Sequence, residues 1–145
     1  MGFAGFRSER EKMWEEVLSD LEVEGCKVID VGVGESTEKL VEAGAQVVGV
    51  DTDIEKLKGC ELDVPLIKCD ILNFPFERRI ADLTFFNFIL HEINPQKHSE
   101  AIRLASHISP EIAVIEPSPE VGSVYQRFNE LQQEIIESLG GYEEY

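Results

Sequence analysis

The sequence is poor in basic residues and in long apolar runs. It contains 13 Lys and Arg against 29 Asp and Glu, which gives a formal net charge of −16. A chain this acidic repels the phosphates of nucleic acids and of anionic lipids, so we expect neither a direct nucleic-acid partner nor a membrane partner. No stretch approaches the roughly 20 apolar residues that span a bilayer, and the first residues lack the apolar segment of a secretory signal. These absences favour a cytoplasmic protein.

Cysteines are also few, and Cys26, Cys60 and Cys69 lie far apart. They form no C-x-x-C pair and have no histidine at the spacing of a zinc site, so the sequence predicts neither a disulfide framework nor a metal centre. We interpret them as small buried apolar side chains rather than as nucleophiles. The length of 145 residues, of which 43% are hydrophobic, predicts one domain over 1–145 with a helical N-terminal lead-in over 1–24.

Apolar, often β-branched runs alternate with helical patterns along the chain. The S-x-x-E pattern of Ser8 to Glu11 is typical of a capping box and predicts a helix over about residues 8–22. A second amphipathic pattern predicts a last helix over about 121–139. Five strands are expected between these helices, at about 27–31, 46–50, 65–69, 81–88 and 112–116. This alternation favours an α/β fold, a doubly wound and mainly parallel sheet with helices on both faces.

Ligands of such sheets bind beyond the carboxyl ends of the strands, so the polar residues there are the candidates for function. After the first predicted strand, Asp30 is followed by Gly32 and Gly34, which allow a tight turn and the close approach of a ligand to the backbone. A dinucleotide-binding turn has a third glycine where this chain has Thr37. A tight turn without a ligand is the alternative interpretation.

Acidic residues end the next two predicted strands as well. Asp51 lies about 20 residues beyond Asp30, the spacing at which a carboxylate accepts hydrogen bonds from ribose hydroxyls. Asp53 either shares that task or caps the helix that begins at Ile54. Asp70 ends the third predicted strand, where it either contacts an adenine edge or only forms a turn.

The glycine turn and its three acids resemble the class I S-adenosylmethionine-dependent methyltransferases. The similarity covers about residues 10–140 and includes the segment from Ala81 to Glu92, which is similar to the family's fourth-strand motif. It implies a Rossmann-like five-stranded sheet in the order 3-2-1-4-5, with S-adenosylmethionine as the cofactor. It also implies that Asp30, Gly32 and Gly34 lie near the methionine part, Asp51 near the ribose, and Asp70 and Ile71 near the adenine. We add two residues to this predicted cofactor site: Thr52, and Asn87 near the methionine end.

The chain departs from the family pattern in two places. Ser36 replaces the third glycine of the family's first motif, and no segment after residue 116 corresponds to the usual last two strands. An open sheet edge exposes unpaired backbone groups. We therefore expect that the chain is a fragment, or that either its final helix or a partner subunit in a homo- or hetero-oligomer covers this edge.

The candidates for the chemistry itself are Asn87, His91 and Glu92, at the end of the fourth predicted strand. An imidazole titrates near neutral pH, which suits His91 to the role of a general base, although a structural histidine is the alternative. Glu92 is alternatively an acid at a helix start. The sequence thus predicts a methyltransferase that acts on a small molecule. A non-catalytic cofactor-binding or scaffold subunit is the second hypothesis, and a nicotinamide-dependent oxidoreductase is the third.

Overall fold

The computed structural model describes residues 3–75 and 78–116, together with residues 131, 134 and 138. The strands are β1 (Lys27–Val31), β2 (Gln46–Asp51), β3 (Leu66–Lys68), β4 (Leu83–Asn87) and β5 (Glu111–Ile115). The helices are α1 (Phe3–Asp20), α2 (Glu35–Glu42), α3 (Ile54–Gly59) and α4 (His98–Ile108). Three short 3-10 helices, Ile71–Asn73, Leu90–Glu92 and Pro95–Lys97, lie in the connections.

The strands form one parallel sheet in the order β3-β2-β1-β4-β5. The predicted α/β fold and strand order are therefore confirmed. Val31 at the end of β1 is in register with Val50 of β2 and with Phe86 of β4. Because all these strands run in one direction, the loops that follow them meet at one edge of the sheet.

Apolar side chains cover both faces of the sheet, as expected for a doubly wound fold. On one face, Trp14 of α1 stacks on Phe85 of β4, with the ring centroids 6.1 Å apart. On the opposite face, Ala105 of α4 packs in the same cluster as Phe86. Successive residues of a strand point to opposite faces, so the neighbours Phe85 and Phe86 each anchor a different helical layer.

The start of α1 differs from the prediction. The helix begins at Phe3, so Ser8 lies inside it and the predicted capping box is wrong. A capping serine needs extended backbone at the helix start, whereas the residues before Ser8 continue the helix. Glu11, the acid of that pattern, instead lies on the surface and pairs with Lys39 of α2, with 3.0 Å between Nζ and Oε2.

The remaining described elements lie close to their predicted positions. β3 is the shortest strand. A 3-10 turn that begins at Pro95 leads into α4, and in it Asn94 Oδ1 accepts a hydrogen bond from the Gln96 amide at 3.0 Å. The predicted helix over 121–139 falls outside the continuously described residues. None of the described helices is long and apolar enough to cross a membrane.

Candidate functional site

A cavity of about 330 Å³ lies where the loops after β1, β2, β3 and β4 meet. Five of the predicted cofactor-binding residues line it: Gly32, Asp51, Thr52, Asp70 and Ile71. The loop after β4 contributes Ile89, Glu92 and Ile93 to the same wall. Residues far apart in the sequence thus meet in one place because parallel strands end at the same edge of the sheet.

Gly32 needs to be glycine for two reasons. Its φ of +95° lies in the left-handed region, which side-chain-bearing residues rarely adopt, and a Cβ there would lie 2.6 Å from Cδ1 of Ile89. Ile89 therefore packs directly on the glycine turn, a contact that the sequence did not reveal. Gly34 differs, since its φ of 167° is ordinary extended backbone, and it lines a separate cavity beside α2 and α3.

Asp30 lies beneath the glycine turn and is fully buried. Its Oδ2 accepts hydrogen bonds from Thr37 Oγ1 at 2.7 Å and from Ser36 Oγ at 2.9 Å. Thr37 Oγ1 in turn accepts the Gly34 amide at 3.0 Å, so a chain of hydrogen bonds runs from the turn to the carboxylate. Burial raises the pKa of Asp30 from 3.8 to about 7, and the nearby charge of Asp51 also raises it, against the opposing effect of the two hydroxyls. Asp30 does not line the 330 Å³ cavity.

The Asp51 carboxylate lies on the cavity wall and is held by two backbone amides. Oδ2 accepts the Val33 N–H at 2.9 Å, and Oδ1 accepts the Asp53 N–H at 2.8 Å. Because a carboxylate oxygen has two lone pairs, each can still accept a hydrogen bond from a ligand hydroxyl. The arrangement presents a fixed, negatively charged acceptor to the cavity and also ties the end of β2 to the glycine turn.

Asp53 and Asp70 both cap short helices. Asp53 Oδ1 accepts the Glu55 amide at the start of α3 at 2.9 Å, which confirms the capping alternative. Asp70 Oδ1 accepts the Leu72 amide at 2.9 Å, so it forms a turn while also lining the cavity. The two alternatives considered for Asp70 are therefore compatible in this geometry.

Asn87 ends β4 near the same edge of the sheet. Its Oδ1 is buried and has no hydrogen-bond partner among the described residues. Leaving a buried acceptor unpaired costs about 1 to 3 kcal/mol, so this oxygen suits a ligand that carries an N–H donor. The side chain thus has the property expected of a binding group, although it does not line the 330 Å³ cavity.

The other two catalytic candidates differ in their position. Glu92 lines the cavity, whereas His91 is buried beside it, only 8% exposed, with Nδ1 2.7 Å from Oε2 of Glu116. Glu116 follows β5, and its Oε1 accepts the Leu90 amide at 2.6 Å. Sequence spacing gave no sign of this pairing.

The interpretation of the cysteines as small buried apolar side chains is correct only in part. Cys26, Cys60 and Cys69 are all partly exposed, but Cys26 and Cys69 each pack against a core cluster. Cys69 lines the cavity, and its thiol lies 3.2 Å from the carbonyl oxygen of Asp70. Burial, together with the charge of Asp70, raises the pKa of the Cys69 thiol, which makes it a poorer nucleophile. Across the residues with described side chains, no group of His, Cys, Asp and Glu is placed to hold a metal ion.

The family described as a methyltransferase domain matches residues 29–109, which is more than half of the chain and runs from within β1 to just past the end of α4. The chain belongs to this family. The methyltransferase domain is 47% identical over 64 residues to the demethylmenaquinone methyltransferase of Corynebacterium urealyticum, a match that covers 42% of this chain and 26% of that protein. The chain therefore matches about a quarter of the length of this curated relative.

Solved structures share the fold of the methyltransferase domain. A SAM-dependent methyltransferase from Archaeoglobus fulgidus superimposes with a TM-score of 0.65 at 22% identity, over 96% of this chain and 74% of that one. The 1,6-didemethyltoxoflavin-N1-methyltransferase of Burkholderia thailandensis, solved with 1,6-didemethyltoxoflavin and S-adenosylhomocysteine, gives a TM-score of 0.52 at 21% identity, over 67% of this chain and 46% of that one. Together with the family match over residues 29–109, this shared fold confirms the resemblance predicted from the sequence.

Proposed function

We propose that this methyltransferase domain binds S-adenosylmethionine in the 330 Å³ cavity and belongs to an enzyme that methylates a small molecule. The observation that carries the proposal is the meeting of Gly32, Asp51 and Asp70 on one cavity wall at the carboxyl end of the sheet. The similar protein from Burkholderia thailandensis holds both S-adenosylhomocysteine and a small molecule, which supports this choice of ligands.

The adenosine part of the cofactor is assigned to the side of the cavity formed after β2 and β3. There the Asp51 carboxylate, fixed by the Val33 and Asp53 amides, accepts hydrogen bonds from the ribose hydroxyls. Thr52, Asp70 and Ile71 line the same side and are assigned to the ribose rim and the adenine. Over the whole cavity, the carboxylates of Asp51, Asp70 and Glu92 outnumber the single ammonium group of Lys97. The lining therefore has a net negative charge, which suits a cationic sulfonium ligand.

The methionine part is assigned to the glycine turn and to Asn87. Gly32 and Gly34 shape the turn, and Asp30 holds it from beneath through Thr37. The buried Oδ1 of Asn87 has no partner among the described residues and lies outside the cavity lining, so an ammonium N–H of the ligand would supply the missing hydrogen bond only if the ligand extends past the cavity towards the end of β4. The residues that line the cavity, above all Gly32, Asp51 and Asp70, fit the cofactor that the family implies.

When bound, S-adenosylmethionine supplies a methyl group that is already activated by the sulfonium, so the protein mainly has to bind, orient and exclude water. The apolar side chains of Ile71, Ile89 and Ile93 reduce the access of water to the cavity wall. An acceptor that must lose a proton also needs a base. Glu92 is the catalytic candidate that lines the cavity, and His91 is the second, held through Nδ1 by Glu116.

Calorimetric titration with S-adenosylhomocysteine tests the cofactor assignment. We expect the wild type to bind it and not NAD, and we expect Asp51→Ala to weaken binding at least tenfold, because charge-assisted hydrogen bonds contribute about 1.5 to 3 kcal/mol each. Asp63→Ala, which removes an exposed acid remote from this cavity, is the matched control. Equal affinity of the Asp51 variant and the wild type would refute the ribose assignment.

Transfer of a labelled methyl group to a panel of small molecules tests the activity. Demethylmenaquinone belongs in this panel, because the Corynebacterium urealyticum relative is a demethylmenaquinone methyltransferase. Binding of S-adenosylhomocysteine without any transfer would favour a cofactor-binding subunit instead of an enzyme. Binding of neither S-adenosylhomocysteine nor NAD would favour a scaffold.

A further inference from the structure

The turn that follows β4 forms one wall of the cavity and is strained. This turn, residues 88–93, contributes Ile89, Glu92 and Ile93 to the wall. Phe88 at its start has a φ of +52°, in the left-handed region that residues other than glycine rarely adopt. A backbone held in that region needs contacts with its surroundings to stay there.

Glu116, which follows β5, provides two of these contacts through a single carboxylate. Oε1 lies 2.6 Å from the Leu90 amide, and Oε2 lies 2.7 Å from Nδ1 of His91. The side chains of His91 and Glu116 are only 8% and 24% exposed. Water therefore competes weakly for these hydrogen bonds, and the carboxylate charge strengthens both of them.

Two further contacts determine where the turn lies. The Phe88 amide donates to the carbonyl oxygen of Ile115 in β5 at 2.8 Å. The Ile89 side chain packs on Gly32, in the space that a Cβ at that position would need. The turn is thus attached to the end of β5 and rests on the glycine turn, so a shift away from Glu116 would move Ile89 and Glu92 relative to Gly32.

We infer that Glu116 is a positioning residue, which fixes the β4 side of the cofactor cavity by holding Leu90 and His91. Glu116 does not line the cavity, so its effect on ligand binding passes through the residues that it holds. This inference rests on the proposed function for its effect on affinity, whereas the attachment of the turn can be measured without any ligand.

Two measurements on the full chain test the inference. Hydrogen exchange of the Leu90 amide in the ligand-free protein reports the attachment, and titration with S-adenosylhomocysteine reports the cavity. We expect Glu116→Ala to speed hydrogen exchange of the Leu90 amide at least tenfold and to lower the affinity for S-adenosylhomocysteine about tenfold. Glu116→Gln keeps an acceptor for Leu90 and can donate to Nδ1 of His91, so we expect it to bind within threefold of the wild type. Glu111→Ala, at the exposed opposite end of β5, is the control and should change neither quantity.

Unchanged Leu90 exchange in Glu116→Ala would overturn the attachment. Faster exchange with wild-type affinity would show that the attachment does not shape the cavity, and would also overturn the inference. If Glu116→Ala does not fold, His91→Phe removes one of the two hydrogen bonds and keeps a ring, so three- to tenfold weaker binding supports the inference and wild-type affinity overturns it. A wild type that binds no S-adenosylhomocysteine contradicts the proposed function instead, and Leu90 exchange still decides whether Glu116 holds the turn.

Discussion

Replacing Asp30 with asparagine should change how the stability of the fold depends on pH. Burial raises the pKa of Asp30 to about 7 in the folded protein, whereas in the unfolded chain it returns to its ordinary value of 3.8. Between these values the folded state binds a proton that the unfolded state does not. The free energy of unfolding of the wild type therefore falls as the pH rises through this interval, and stops falling once Asp30 is ionised in both states.

The size of the effect follows from the two pKa values. Between about pH 5.5 and pH 8, the wild type should lose about 2 kcal/mol of stability from this one group. Asp30→Asn has no such proton, so its stability relative to the wild type should rise by the same amount over this interval. The asparagine side chain also forms weaker hydrogen bonds with Ser36 and Thr37 than the carboxylate does. This loss lowers the stability of the variant by an amount that is largely independent of pH.

Urea unfolding followed by tryptophan fluorescence measures this difference. Trp14 is the sole tryptophan of the sequence and is buried against Phe85, so its emission reports on the core. The control is Asp63→Asn, which removes an exposed acid. A stability difference between Asp30→Asn and the wild type that stays constant from about pH 5.5 to pH 8 would refute the reasoning.

Two other substitutions at the glycine turn have clear expectations. Gly32→Ala introduces a Cβ 2.6 Å from Ile89 at a left-handed backbone position, so we expect a loss of about 2 kcal/mol or more in urea unfolding, partly restored by adding Ile89→Ala. Full restoration would show that packing alone, and not the backbone, requires glycine there. Thr37→Val removes the hydroxyl between the Gly34 amide and Asp30, so we expect a loss of about 1 to 3 kcal/mol and a further rise in the pKa of Asp30. An unchanged unfolding midpoint would contradict this role of Thr37.

The features that the sequence predicted correctly depend on local pattern. The apolar runs that end at Asp51 and Asp70 predict β2 and β3 together with their carboxyl ends. Because the strands are parallel, both acids then lie at the same edge of the sheet, where they line one cavity. Asp53 as a helix cap follows from its position just before Ile54. Such inferences need only the residues within one or two elements, where backbone preferences and hydrophobic periodicity dominate.

The features that could not be predicted from the sequence depend on contacts between distant segments. The pairing of Glu116 with His91 joins two loops, and the packing of Ile89 on Gly32 requires the turns after β1 and β4 to be neighbours. In the sequence, Thr37 stands only where a dinucleotide-binding turn has its third glycine, whereas in the folded turn its hydroxyl donates a hydrogen bond to Asp30. No spacing rule encodes these distances. The error in the predicted start of α1 comes instead from a local pattern. The S-x-x-E pattern is typical of helix caps, but it also occurs on the surface of a helix that has already begun, as it does here.

The contacts of Asp51 with the backbone limit how the proposed cofactor site can be redesigned. Both of its oxygens accept backbone amides, so a substitution of Asp51 meant to change the proposed contact with a ribose would also release the glycine turn. An asparagine would place an amide N–H against one of these donors. Thr52 is exposed, lines the same side of the cavity and carries no such backbone contact among the described residues, so it is the position at which an engineer can vary specificity while preserving the scaffold.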